Sequence, residues 1–356
     1  MILTLAAIFF GVALLNVLFW PRVSRRGEPR LGALSVLIPA RDEEQNLAAC
    51  LNSVLEQGAS IAEVLVYDDH SLDGTALIIE QYSQRDARVR LVHPLPLPAE
   101  WCGKNFACAQ LASQASAHWL LFIDADARLL PRAVDRLLEE AVSRRLTFLS
   151  AWPGFDLIGF WEGALMPLLN FVVFTLFPAP LSLIRQDESL GLAHGACVLA
   201  DRAAYERLGG HSSVRNEIFE DTRLAQWWRA NGEPGLCLDG QDIIRVRMYA
   251  SFEEIWSGFQ KNFFPAFRKQ ISFWAFLVLH FAVFLLPFIV LDWRPIGFVI
   301  ATRALLAFRF RQSWWRVFTH PVGELILLAL GVSSWWACRS GRGVAWKGRQ
   351  YRASRV

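Results

Sequence analysis

Residues 119–126 read WLLFIDAD and residues 63–75 read EVLVYDDHSLDGT, so two short apolar runs each lead into a cluster of aspartates. Such runs predict buried strands, and open α/β sheets bind ligands outside the carboxyl ends of their strands. Asp124 and Asp126 repel each other unless a cation or hydrogen bonds compensate them. Mg²⁺ or Mn²⁺ commonly bridges one or two carboxylates to phosphates. The pair therefore predicts a metal and diphosphate site, with helix capping by Asp126 as the alternative.

Strand and helix patterns alternate around these aspartates, from Leu34 to about Val246. This alternation predicts an α/β fold in which helices cover both faces of a mostly parallel sheet. The predicted strands cover residues 34–39, 63–67, 89–92 and 119–123, and the predicted helices cover residues 43–57, 74–84, 104–115 and 131–144.

An excess of apolar residues indicates a membrane protein, because 54% of the 356 residues are hydrophobic and the mean hydropathy is +0.28. Residues Ile2 to Trp20 carry no charge and are long enough to cross a hydrocarbon layer of about 30 Å. The basic residues follow this segment, so the positive-inside rule places the next part of the chain in the cytoplasm. We predict an uncleaved transmembrane anchor at residues 1–21.

The carboxyl-terminal part of the chain alternates between predicted spans and segments that suit the membrane interface. In chain order these are an interfacial segment at 251–271, a span at 272–291, a re-entrant or interfacial helix at 295–311, a span at 322–338 and a basic cytoplasmic tail at 339–356. The helix at 295–311 is not assigned as a span because it is short and contains Arg303 and Arg309. The sequence predicts a multi-pass protein of the cell (inner) membrane that contacts the bilayer.

Residues 155–180 are also apolar, but Asp156, Glu162 and three prolines interrupt them. We predict amphipathic helices that lie on the membrane surface. The alternative is a helical hairpin buried in the protein core.

The cysteines and the net charge indicate the redox compartment and the kind of partner. The six cysteines form no C-x-x-C pair, which predicts reduced thiols in a cytoplasmic domain. The net charge of +3 is too small to indicate a nucleic-acid partner, and much of it lies beside the predicted spans, where anionic lipid is the expected partner.

Four motifs arrive in an order that resembles the family 2 glycosyltransferases with the nucleotide-sugar-binding, Rossmann-like GT-A fold. They are PARDEE at 39–44, DDHSLDGT at 68–75, DAD at 124–126 and FED at 219–221. The resemblance implies a cytoplasmic GT-A domain at residues 31–250, accompanied by transmembrane helices. It also implies an inverting transferase that takes a sugar from a UDP-sugar donor.

The same resemblance implies a role for each donor-side residue. Asp69 would bond the base, with Asp68 supporting the pocket, and Glu43 would face the ribose or base beside Pro39. Asp124 and Asp126 would hold the nucleotide sugar and its Mg²⁺ or Mn²⁺.

Inverting transfer needs a base within hydrogen-bond reach of the acceptor hydroxyl. Asp221 is the candidate because it opens the predicted helix 222–229, where the helix dipole stabilises a carboxylate. An ordinary helix N-cap is the alternative reading of Asp221. Glu220, its neighbour, is the alternative base.

Two further loops supply candidate residues for phosphate binding and for the acceptor side of the site. Lys104 in the run EWCGKN stands at a predicted helix start, from which its charge reaches a phosphate. His194 and Gly195 resemble the family's acceptor-side loop, although a histidine satisfied by backbone hydrogen bonds explains His194 equally well. His211 is predicted to be structural.

Two motifs in the carboxyl-terminal region distinguish between subtypes of family 2 glycosyltransferase. Residues 260–264 read QKNFF where processive synthases carry Q-x-x-R-W, so we predict one sugar per acceptor. Residues 346–351 read WKGRQY and resemble the end of membrane transferases associated with hopanoid and carotenoid (diaponeurosporenoate-type) glycosylation. Lys347 and Arg349 would then neutralise the leaving diphosphate, the alternative being a basic lipid anchor.

Together these features predict a membrane-bound, metal-dependent, non-processive enzyme that moves one sugar from a UDP-sugar to a lipid acceptor such as a hopanoid or carotenoid. One alternative is a polyprenyl-phosphate sugar transferase. Another is a non-catalytic membrane protein that only binds a nucleotide sugar.

Overall fold

The computed structural model describes residues 1–340 and 344–351. It divides into two compact units. The sheet unit contains Pro21–Asp156 and Ser182–Met248, and the helical unit contains Met1–Trp20, Leu157–Leu181 and the chain from Tyr249 onward. Arg342, Arg352 and Arg355 of the predicted basic tail lie outside the described residues.

The strands and helices are numbered in chain order. The strands are β1 (Leu34–Ala40), β2 (Ile61–Asp68), β3 (Val89–Val92), β4 (Trp119–Ile123), β5 (Ala127–Leu129), β6 (Phe148–Phe155), β7 (Cys197–Asp201), β8 (Gly235–Val246), β9 (Val344–Trp346) and β10 (Arg349–Tyr351). The helices are α1 (Ile2–Phe19), α2 (Leu47–Leu55), α3 (Thr75–Arg85), α4 (Gly103–Gln114), α5 (Ala133–Ser143), α6 (Phe160–Leu176), α7 (Ala179–Ser182), α8 (Arg202–Leu208), α9 (Glu220–Ala230), α10 (Phe252–Asn262), α11 (Gln270–His280), α12 (Leu286–Val290), α13 (Trp293–Arg309), α14 (Trp315–Phe318) and α15 (His320–Arg339).

The sheet unit is built on one mixed sheet with the strand order β3-β2-β1-β4-β7-β6-β8-β5. Strands β1 to β4 are parallel, as predicted. Strand β7, which we did not predict, lies antiparallel to both β4 and β6, so the sheet as a whole is mixed. Helices cover both faces, because α2 and α5 pack in one apolar core and α4 and α9 in another.

Among its described residues, the helical unit has three helices that are long and apolar enough to cross a membrane. They are Ile2–Phe19, Gln270–Val290 and His320–Arg339. The second is continuous through a π-helical turn at Phe281–Leu285. Their orientation in a membrane and the segment boundaries given above remain predictions.

Helix α6 differs from the prediction of a helix lying on the membrane surface. Of its 17 residues, 11 are buried, and the large exposed side chains stand near its ends. Trp20 stacks on Phe174 with ring centroids 4.5 Å apart. The amide of Asn16 donates to the carbonyls of Phe174 and Phe177 at 2.8 and 2.7 Å. Burial inside the helical unit, the alternative reading, therefore describes α6.

A buried hydrogen bond between side chains joins two of these helices. His280 Nδ1 lies 2.6 Å from Glu324 Oε1, and both side chains are fully buried. Arg303, also buried, is a charged neighbour of Glu324. Removing one member of such a pair leaves an uncompensated polar or charged group in an apolar core.

We expect Glu324→Leu to lower the free energy of unfolding by about 3–5 kcal/mol, because it removes the partner of both His280 and Arg303. The measurement is unfolding of the purified protein in detergent. Leu325→Ala, at an exposed position on the same helix, should change the value by no more than about 0.5 kcal/mol. Equal losses in the two variants would contradict the importance of the pair.

Candidate active site

The topology brings the aspartate clusters to one edge of the sheet. Strands β2 and β4 flank β1 and run parallel to it, with Asp68 opposite Ala40 in the ladder. The chain leaves β2 and β4 at the same edge, so Asp69 and Asp124 follow neighbouring carboxyl ends.

Two loops at this edge are bonded to each other. The carboxylate of Asp42 accepts from the backbone N–H of Leu72, and that of Glu44 accepts from Gly74, both at 2.8 Å. The Ser71 hydroxyl accepts from the Asp42 N–H at 2.9 Å. Glu44 lies within the predicted helix 43–57, but α2 begins later, at Leu47.

Asp68 and Asp69 occupy different environments. Asp69 is buried beside Arg41, whose guanidinium donates to the Asp69 carbonyl at 2.6 Å and lies 3.9 Å from its carboxylate. Asp68 is half-buried and accepts from the Ser71 N–H at 3.1 Å. Sequence reasoning assigned no role to Arg41, although it stands inside the first motif. The assignment of Asp69 to the nucleotide base remains a prediction.

Glu43 and Pro39 also lie at this edge. Glu43 is half-buried and accepts from the side chain of Asn46 at 2.9 Å. Pro39 is in β1, opposite Tyr67 of β2. Their contact with a ribose or base remains a prediction.

Charged groups from distant parts of the sequence meet around Lys104. Its ammonium lies 2.8 Å from Asp124 Oδ1 and 2.9 Å from Glu220 Oε1. Beside Glu220, the carboxylate of Asp221 accepts a hydrogen bond from the backbone N–H of Gly195 at 2.8 Å. We call Lys104, Asp124, Gly195, Glu220 and Asp221 the Lys104 cluster. It unites the predicted phosphate, metal, acceptor and base residues.

The cluster raises the pKa values of two of its members, the carboxyl of Asp221 and the ammonium of Lys104. Desolvation and the adjacent Glu220 carboxylate raise the pKa of Asp221 to about 7, against the opposing effects of Lys104 and two N–H donors. Desolvation alone would lower the pKa of Lys104, but Asp124 and Glu220 outweigh it and hold that pKa well above its ordinary value. Lys104 is therefore a permanent cation, and Asp221 changes charge near neutral pH.

Asn105 ties together the segments that carry this cluster. Its amide nitrogen donates to the carbonyls of Val214 and Glu217 at 2.7 and 2.9 Å, and its side chain is 1% exposed. The backbone N–H of Cys102 donates to the Arg215 carbonyl at 2.7 Å. The start of α4 is thereby joined to the chain that leads into α9. Sequence reasoning missed Asn105, whose only signal was an amide next to Lys104.

His194 and Gly195 occupy the loop before β7. The N–H of His194 donates to the Ser150 hydroxyl at 2.9 Å, and its ring packs edge-on against Trp152. Desolvation lowers the pKa of His194 to about 4 in spite of the nearby Asp124 carboxylate, so the imidazole is neutral. Contact with an acceptor remains a prediction. His211 is buried and bonded to Tyr205 at 2.7 Å, as a structural residue would be.

Asp124 and Asp126 are the carboxylates at this edge that could hold a divalent cation. In residues 1–340 and 344–351, no three His, Cys, Asp or Glu side chains are grouped as metal ligands. Mg²⁺ and Mn²⁺ need only one or two carboxylates when phosphates and water complete their shell. The Gly195 backbone approaches this carboxylate closely, since a Cβ at Gly195 would lie 3.7 Å from Asp124 Oδ2. Asp124, with the half-buried Asp126 two residues on, fits a cation shared with a diphosphate.

Lys347 and Arg349 belong to the helical unit, in the hairpin of β9 and β10. The two-residue turn has positive φ at Lys347 (44°) and Gly348 (75°), as tight hairpins require. Their action on a diphosphate remains a prediction.

A family model described as glycosyl transferase family 2 matches residues 35–209. This part of the chain is a family 2 glycosyltransferase domain. The match includes Asp69, Lys104 and Asp124 and ends before Glu220 and Asp221. The chain is a glycosyltransferase enzyme, so the non-catalytic alternative is set aside.

Named relatives extend the likeness of this glycosyltransferase over most of its length. It is 25% identical over 343 residues to 4,4'-diaponeurosporenoate glycosyltransferase of Staphylococcus aureus strain MRSA252, covering 91% of this chain and 89% of the relative. The same enzyme of strain USA300 matches with equal identity and coverage.

A solved structure resembles the glycosyltransferase in fold. It is a mannosyltransferase from Pyrobaculum calidifontis in complex with GDP-Man and Mn²⁺, with a TM-score of 0.56 and 18% identity. The likeness covers 94% of this chain and 99% of the mannosyltransferase. The predicted GT-A fold is confirmed.

Proposed function

We propose that this glycosyltransferase is a membrane-bound, metal-dependent, inverting enzyme that transfers one sugar from a UDP-sugar to a lipid acceptor such as a hopanoid or carotenoid. The Lys104 cluster carries the proposal, because it combines a candidate base, Asp221, with a carboxylate suited to a metal-bound diphosphate, Asp124. Further support comes from relatives named for a carotenoid substrate and from three helices of membrane-spanning length.

Asp221 would take the proton of the acceptor hydroxyl. Two N–H donors, from Gly195 and Thr222, hold its carboxylate at 2.8 and 2.6 Å and fix its direction. Its pKa of about 7 suits a general base that works at neutral pH. Glu220 is less available for this role because it is paired with Lys104.

Asp124 and Asp126 would hold the divalent cation together with the donor diphosphate. When bound, the cation supplies positive charge that stabilises the leaving diphosphate. Arg41 and Asp69 lie at the same sheet edge and are proposed to bind the nucleotide base and ribose together with Asp68, Glu43 and Pro39. The mannosyltransferase neighbour, in complex with GDP-Man and Mn²⁺, is consistent with a nucleotide sugar and a metal.

The proposal is tested by mass spectrometry of membrane lipids from cells that express the wild-type chain, Asp221→Asn or no copy. We expect one lipid to gain the mass of a single sugar only in the wild-type cells. A ladder of several sugars would contradict non-processive transfer. A new polyprenyl-phosphate sugar would instead support the alternative acceptor.

A further inference from the structure

Lys104 makes the contacts expected of a resident counter-ion. Its ammonium touches two carboxylates that belong to different functions, Asp124 of the proposed metal site and Glu220 beside the proposed base. Its side chain remains 38% exposed, whereas that of Glu220 is 12% exposed. The cation therefore reaches into the cluster from a position where it can still move.

We propose that Lys104 is a positioning residue that holds Asp124 and Glu220 in the ligand-free enzyme and competes with the divalent cation for Asp124. The inference rests on the proposed metal dependence. An ammonium 2.8 Å from Asp124 Oδ1 already neutralises the carboxylate that the metal would use. Two cations on one carboxylate repel each other, so Lys104 must give up Asp124 when the metal and donor bind.

The same contact separates the roles of the two adjacent acids. Glu220 is held by the Lys104 ammonium, whereas Asp221 is held by N–H groups of Gly195 and Thr222. Once Lys104 leaves Asp124, its remaining contact with Glu220 keeps that side chain engaged. Asp221 is then the acid whose carboxylate is held by uncharged N–H groups, and it can face the acceptor.

Gly195 shows how closely Lys104 is fitted. It is not among the glycines with positive φ, so its backbone does not require glycine. A Cβ at this position would lie 2.8 Å from Lys104 Nζ, but 3.5 Å from Asp221 Oδ2 and 3.7 Å from Asp124 Oδ2. Alanine at 195 would therefore displace mainly the tip of a flexible lysine while the backbone N–H to Asp221 remains.

The test is a titration of the purified full-length protein with Mn²⁺ alone, in which electron paramagnetic resonance measures the Kd for Mn²⁺. Lys104→Met should lower the Kd for Mn²⁺ about tenfold, because a competing charge is removed. Gly195→Ala should also lower the Kd for Mn²⁺, although this substitution leaves every charged side chain in place. Lys104→Arg keeps the cation and should stay close to wild type, as should Lys269→Met, which removes an exposed lysine of the helical unit.

Unchanged or weaker Mn²⁺ binding in Lys104→Met would overturn the competition, since a lysine that only binds phosphate does not affect Mn²⁺ in the absence of nucleotide. If the wild-type protein binds Mn²⁺ in the presence of UDP, but neither Lys104→Met nor Gly195→Ala changes the Kd for Mn²⁺, this inference alone is refuted. A wild-type protein that binds no Mn²⁺ with or without UDP would refute the proposed metal dependence and this inference with it.

Discussion

Asp221→Asn is expected to lower kcat by about 10²–10⁴-fold, the usual contribution of a general base. Asparagine has the same shape, but it cannot take a proton, and its amide can satisfy only one of the two N–H groups that now bond to Asp221. Donor binding should change little because Asp221 does not lie at the nucleotide end of the proposed site. The measurement is sugar transfer by the purified enzyme at saturating donor, beside binding of UDP to the same preparation.

Glu220→Gln is the matched control, because it alters the neighbouring acid. We expect a smaller loss of kcat, since Glu220 contacts Lys104 and not the acceptor in the proposed site. If Glu220→Gln abolished transfer while Asp221→Asn did not, the two roles would have to be exchanged. A loss of less than tenfold in both variants would indicate an acceptor that is already an anion, such as a phosphate or carboxylate.

The pH dependence of the wild-type enzyme gives a second readout of Asp221. The base acts when it is deprotonated, and desolvation together with Glu220 raises its pKa to about 7. Activity should therefore fall as the pH drops below about 7, whereas an ordinary aspartate would stay charged down to about pH 4. The profile of kcat/KM reports the free enzyme, and Asp221→Asn should have lost this acidic limb.

The sequence predicts well what depends on local patterns. The run 119–123 is apolar throughout, so it forms the buried β4, and the aspartates that follow must leave the sheet at its carboxyl edge. The long-range pairing of Lys104 with Glu220 has no such local signal. It depends on the Asn105 bonds to the segment before α9.

The burial of α6 differs from the expectation for a different physical reason. A helix that is apolar on all sides suits both a lipid surface and a protein interior, so periodicity does not separate these environments. The decisive contacts come from the amide of Asn16 in α1 and the ring of Trp20, which directly follows α1. One buried asparagine in a mostly apolar anchor was the available signal, and it indicated a protein partner for α1.

Asp124→Ala is expected to lower kcat/KM by at least about 10²-fold and to remove the stimulation of transfer by Mn²⁺. The substitution deletes a carboxylate of the proposed metal pair and leaves Lys104 paired only with Glu220. EDTA should reduce wild-type activity to a similar level, and added Mn²⁺ or Mg²⁺ should restore it.

Asp73→Ala is the appropriate comparison, because Asp73 also lies in an aspartate motif at this sheet edge but bonds to the N–H groups of Glu44 and Thr75. It should weaken the loop without altering the response of activity to metal. Full activity of the wild type in EDTA, with Asp124→Ala still inactive, would show that Asp124 acts through Lys104 and not through a metal. Since the Lys104 ammonium lies 2.8 Å from Asp124 Oδ1, these two measurements together decide which cation serves the leaving diphosphate.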